Sequence, residues 1–144
     1  MHMDKGVYLL VLHLPQARSV DVGALGKFHF PAGWYVYVGS AHGPGGLGAR
    51  LRRHRSQQKA LRWHVDYLRA VADSMEAWAA PLPRKWECEW ARHLLQWPGA
   101  LIPAPGFGAS DCCCASHLVR LPARPDGDLV RALTDGAASH WEET

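Results

Sequence analysis

Seven basic residues stand between Arg50 and Arg69, namely Arg50, Arg52, Arg53, Arg55, Lys59, Arg62 and Arg69, against the single acid Asp66. That stretch carries +6, and Trp63 and Tyr67 interrupt it. Positive charge interleaved with aromatic rings is what a nucleic-acid backbone and its bases require, with phosphate contacts dominating and little sequence preference. The plain alternative is a solvated helical face. His64 adds a phosphate-binding candidate, but at two residues' distance on a helix it does not face Asp66. Glu87 and Glu89 are likewise two residues apart, so only one can point into a shared site. Cys88, Cys112, Cys114 and His117 form a set of soft donors that could hold zinc. Their C-x-C-x2-H spacing is not that of a usual finger, and ordinary buried thiols are the alternative. Cleaving a phosphodiester takes an activated water, a cation against the phosphate and usually a carboxylate-held divalent metal, and candidates for each part are present.

Positioning these groups falls to a few elements. Gly6 to Leu14 reads as a strand buried on both faces and stopped by Pro15. Ser19 to Phe30 reads as a β-hairpin turning near Gly23 to Gly26, and Trp34 to Val38 as the strongest strand. That strand runs into a glycine-rich loop, after which the spacing predicts a helix over 47–57 with Arg50 and His54 at i, i+4. Further helices are predicted over 59–73 and 85–96, and strands over 74–80 and 117–121. A loop without charged side chains, with neutral histidine, runs from His93 to Ser110 and should cover apolar surface. A short capped helix over 126–134 precedes a soft tail.

At 144 residues, with 48% hydrophobic and 20% charged positions, the chain suits one compact domain over 1–144 that folds without a staple. The net charge of +3 leaves everything outside the basic stretch net acidic. No apolar run approaches a membrane span and the start lacks a secretory pattern, so a cytoplasmic protein with reduced or metal-bound cysteines is expected, away from membranes.

The tripeptides Gly6-Val7-Tyr8 and Tyr37-Val38-Gly39 lie on successive strands, and the second feeds the glycine loop and the helix bearing Arg50 and His54. In this the chain resembles the GIY-YIG nuclease superfamily. It is most similar to the uncharacterised GIY-YIG-like branch, a domain of unknown function sometimes fused to endonuclease III, through WHVDYL at 63–68, ECEWA at 87–91 and PGFGASDCCCASHL at 105–118. The resemblance covers roughly residues 6–121, leaving a C-terminal helix and tail over 122–144.

The resemblance implies an α+β fold with a small, mainly antiparallel central sheet flanked by helices. Tyr8 and Tyr37 would face each other, with Tyr37 taking a proton from water, Arg50 on the scissile phosphate and His54 assisting in the same cavity. Glu87 would be the single carboxylate on one Mg2+ or Mn2+ ion, and the partner would be nucleic acid, DNA in repair or recombination. Arg52, Arg53, Arg55, Lys59, Arg62 and His64 would extend the nucleic-acid surface. The chain departs from the pattern in three ways. Tyr8 and Tyr37 are 29 positions apart, which makes the hairpin an insertion; Ser40 stands where many members carry lysine; and the usual closing asparagine has no clear match, with Ser110 or Asp111 near its place. Two other functions stay open: a non-catalytic nucleic-acid-binding module with a degenerate site, and an interaction domain docking through the His93 to Ser110 loop.

Overall fold

The computed structural model describes residues 4–57, 59–109 and 114–142. Its centre is a five-stranded sheet in the order β6-β4-β1-β5-β7, every neighbouring pair antiparallel. The strands are β1 (Gly6–Leu14), β4 (Gly33–Ala41), β5 (Ser74–Ala80), β6 (Leu118–Leu121) and β7 (Ser139–Trp141), while β2 (Arg18–Asp21) and β3 (Lys27–Phe30) pair as a separate two-stranded sheet. The α+β architecture with a mainly antiparallel sheet flanked by helices is therefore the one expected.

Side-chain alternation along β1 divides the core into two layers. Tyr8, Leu10, Leu12 and Leu14 point to one face, where α1 (Gly46–Arg55) and α2 (His64–Arg69) supply Leu51 and Leu68. Val7, Leu9 and Val11 point to the other, against Trp90 and Leu94 of α3 (Lys85–Leu95) and Val130 and Leu133 of α4 (Gly127–Thr134). A central strand covered on both sides must be apolar on both, which is why GVYLLVLHL shows no polar alternation.

The β2–β3 hairpin does not disturb the β1–β4 pairing. It closes on itself from Arg18↔Phe30 to Asp21↔Lys27 and seats Phe30 and Val22 in the first core layer. β1 and β4 then pair without interruption from Gly6↔Ala41 to Leu14↔Gly33.

Two expectations are corrected. The helix expected over 59–73 is only His64–Arg69. The Asp66 carboxylate accepts the backbone N–H groups of Arg62 and Trp63, both at 2.8 Å, and so fixes the helix start after Trp63. Upstream, Lys59 is drawn onto the C-terminal carbonyls of α1, donating to Arg53 at 2.8 Å and Ser56 at 2.7 Å. The tail expected to be soft instead contributes β7, which pairs with β5 from Ala77↔Trp141 to Ala79↔Ser139. Of the loop expected over His93 to Ser110, His93 to Leu95 belong to α3 and Ser110 lies outside the described residues; the rest does bury Ala104 and Phe107, while Leu101 and Ile102 are exposed. No described helix is long and apolar enough to cross a membrane.

Candidate functional site

The register of β1 on β4 sets Tyr8 opposite Gly39 and Leu10 opposite Tyr37, so the two tyrosines are diagonal neighbours on one face with ring centroids 6.4 Å apart. Gly39 has a steric reason to be glycine. A Cβ there would stand 2.4 Å from the Tyr8 hydroxyl, inside the ring's own volume. Gly108 does the same for the second tyrosine: its φ is +68°, and a Cβ would lie 2.8 Å from the Tyr37 ring.

His54 is not on the cavity wall. It is fully buried on α1 behind Tyr8, with Nε2 2.7 Å from the Tyr8 hydroxyl. Burial, reinforced by the nearby Lys59 ammonium, depresses its pKa to about 3, so the ring is neutral. Its Nδ1 is buried without a hydrogen-bond partner. A proton on Nδ1 would be an orphaned donor, so the favoured tautomer carries it on Nε2 and donates to the Tyr8 oxygen. Tyr8 is then left to donate its own O–H elsewhere. Burial raises both phenols above their ordinary pKa, an effect the Arg50 guanidinium only partly offsets, so both tyrosines are protonated at neutral pH.

Arg50 lies one helical turn before His54. Its Nη1 donates to the Ser40 carbonyl at 2.9 Å and its guanidinium stacks 4.3 Å from the Trp63 ring centroid, which fixes the direction of its charge. Glu87 comes from the first turn of α3 on the opposite face of the sheet. β6 pairs with β4 only from Trp34 to Tyr37, so the Gly39-Ser40 end of β4 extends beyond it, and there the Ser40 hydroxyl donates to Glu87 Oε1 at 2.6 Å. His117 Nδ1 lies 2.9 Å from the other carboxylate oxygen. Burial alone would raise the Glu87 pKa, but these two hydrogen bonds outweigh it and hold the carboxyl below its usual range. Glu89, by contrast, pairs with Arg92 on the surface.

Tyr8, Tyr37, Arg50 and Glu87 thus converge, with Trp63 and His64, on one open cavity of about 250 Å³. Arg62 and Arg84 complete its cationic rim, setting three guanidiniums against one carboxylate. The charged side chains lining the cavity sum to a positive excess, a field that attracts anions. His64 accepts the Gly108 N–H through Nδ1 at 2.8 Å, which leaves its other nitrogen as the donor, and burial lowers its pKa.

The remaining basic candidates divide. Arg53 forms two 2.9 Å bonds to the Asp66 carboxylate, and Lys59 serves the end of α1, so both are spent on the chain itself. Arg69, also in the basic stretch, is buried on the carbonyls of His54 and Arg55. Arg52 is exposed on α1, and Arg55 lies toward Glu76 and His140 at the β5–β7 edge, away from the cavity. Cys88, Cys114 and His117 gather with ligand atoms within 4.8 Å of one another. Cys112, Ser110 and Asp111 lie outside the described residues. Sequence reasoning did not single out Arg84, Gly108 or the Ser40 bond to Glu87. Arg84 was within reach of it, since it sits three residues before Glu87 at the start of the same helix.

Comparison with curated proteins and with solved structures returns no match. A family model described as Domain of unknown function DUF123 matches residues 7–137, a span that takes in the paired tyrosine strands, the Arg50 helix, Glu87 and the Cys114–His117 segment. With nearly the whole chain inside that match, the protein belongs to the family described as domain of unknown function DUF123.

Proposed function

We propose that the protein is a metal-dependent phosphodiester hydrolase of the GIY-YIG type, cutting nucleic acid, DNA in the first instance. What carries the reading is the convergence of Tyr8, Tyr37, Arg50 and Glu87, from four separate elements, on one cavity rimmed by guanidiniums. A phosphate diester is the anion whose cleavage uses all of these parts.

Arg50, held by Ser40 and Trp63, meets the scissile phosphate and neutralises the charge that grows on it. Tyr8, its oxygen engaged by His54, donates its proton to a phosphate oxygen. Tyr37, the second phenol on the wall, takes the proton of the attacking water in the small fraction of molecules in which it is phenolate. Trp63 offers a stacking face to a base, and Arg62 and Arg84 receive the flanking phosphates. Glu87 is ionised, and each of its oxygens already accepts one hydrogen bond, which leaves a lone pair on each for a hard cation. One carboxylate together with substrate phosphate oxygens fits Mg2+ or Mn2+. Bound there, the ion would supply charge stabilisation at the leaving oxygen.

The test is cleavage of labelled branched DNA with Mg2+ by the wild type, Arg50→Ala and Glu87→Ala, each variant checked for an unchanged melting temperature. Nicking should fall about 100-fold or more in both variants. Equal nicking by all three would assign the activity to a contaminant, and salt-sensitive binding by the wild type without turnover would make this a binding module.

A further inference from the structure

Beside the anion cavity, and outside the roles just given, lies a group of soft donors drawn from two parts of the chain. Cys88 is on α3, Cys114 and His117 stand at i, i+3 on the segment that leads into β6, and their ligand atoms lie within 4.8 Å of one another. We propose that Cys88, Cys114 and His117 bind a single Zn2+ ion that pins this segment to α3.

The donor chemistry suits zinc. Zn–S bonds of about 2.3 Å and Zn–N bonds of about 2.0 Å place tetrahedral ligand atoms roughly 3.5–3.8 Å apart, so the group needs to contract by only about 1 Å to close on an ion. Two thiolates and a neutral imidazole cancel the charge of a divalent ion, so the site needs no further acid. Both cysteines are partly exposed, which lets water take the fourth position.

The surroundings of His117 give a second, independent reason. The ring is nearly fully buried, and its Nδ1 is 2.9 Å from the Glu87 carboxylate. A carboxylate that accepts the N–H of one imidazole nitrogen leaves the other nitrogen unprotonated and orients it as a metal ligand, an arrangement that recurs around zinc-bound histidines. Glu87 therefore touches both the cavity and the zinc ligand. The metal also orders the cavity wall from behind, because His117 donates its backbone N–H to the Phe107 carbonyl at 2.8 Å and Gly106 donates to Ala115 at 2.7 Å. Those bonds hold the loop that presses Gly108 against Tyr37.

The experiment needs no nucleic acid, so its result is separate from the fate of the hydrolytic reading. The full chain is stripped of metal under reducing conditions and titrated with Co2+, which reports thiolate ligands by a near-ultraviolet charge-transfer band and tetrahedral geometry by intense visible bands. One equivalent should saturate both signals, and one equivalent of Zn2+ should erase them and raise the melting temperature. Cys88→Ser and Cys114→Ser should each weaken the charge-transfer band. Glu87→Gln should keep the bands but bind about 10-fold more weakly. The proposal is overturned if the wild type shows no charge-transfer band. It is equally overturned if the band survives loss of both Cys88 and Cys114.

Discussion

Arg50 and Glu87 stand 37 positions apart in the chain and reach the cavity from opposite faces of the sheet, yet both are held by the same residue, Ser40, one through its carbonyl and the other through its hydroxyl. Their separation is thus fixed by one short piece of β4. The tyrosines set the pH response. With both phenols raised above their usual pKa, the fraction of phenolate rises about tenfold per pH unit near neutrality. The logarithm of the single-turnover cleavage rate should therefore climb with a slope of about 1 between pH 7 and 9. A plateau with its midpoint below the ordinary imidazole value would instead hand the base role to His64, whose pKa burial lowers. His54 sets an acid limit on stability. Its folded pKa of about 3 lies below the ordinary 6.5, so as pH falls below 6.5 the unfolded chain binds a proton that the folded one refuses. Stability attributable to His54 is whole above pH 6.5 and drops by about 1.4 kcal/mol per pH unit on the way down toward 3. Urea unfolding at pH 7 and pH 5 should show the wild type losing about 2 kcal/mol more than His54→Gln. Equal losses would mean that the imidazole is not held neutral.

Among the elements, β1, β4 and α1 were legible in the sequence because each satisfies its local rule. Two apolar runs read as central strands, and a glycine loop followed by Leu47 and Leu51 reads as a helix start. The hairpin between β1 and β4 was legible too, but its residues do not say that those strands pair without interruption around it, which only the structure shows. α2 was overextended because Leu61, Val65, Leu68 and Ala72 keep helical spacing, whereas Asp66 and Lys59 impose a cap and a strap that periodicity does not register. β7 is three residues long, too short for alternation to be seen. Asp66 is the element-scale joint. Fully buried, it binds Arg53 twice and two backbone amides, so Asp66→Ala strips a partner from each and should cost roughly 3 kcal/mol in urea unfolding. A loss under 1 kcal/mol would show that α1 and α2 are joined by their apolar contacts alone. Gly39→Ala acts differently. It drives a methyl into the Tyr8 ring and should destabilise by about 1–3 kcal/mol while displacing the Tyr8 hydroxyl from His54. A stability and a cleavage rate both within error of wild type would contradict the close approach.

Across the whole molecule, the sheet separates two helical layers and the cavity opens where β4 outruns β6, the place where side chains from both layers can meet. The candidate site was legible as a set of residue types but not as a place. The family resemblance named Tyr8, Tyr37, Arg50 and Glu87, whereas the withdrawal of His54 behind Tyr8 and of Arg53 onto Asp66 follows from packing alone. The cationic rim of Arg50, Arg62 and Arg84 bears on binding at this scale. Binding of duplex DNA should weaken with salt at a log-log slope of about −3, and Arg62→Ala should reduce that slope by about 1. A slope near zero would place the interaction elsewhere. The most direct measurement of whether the cavity residues form one hydrolytic centre is a double-mutant cycle of Arg50→Ala and Glu87→Ala on the single-turnover cleavage rate. Groups that act as a unit lose little more together than the worse of them loses alone, so the double variant is expected within about threefold of the slower single variant. Two defects that multiply in full, or single variants as fast as wild type, would contradict a shared centre.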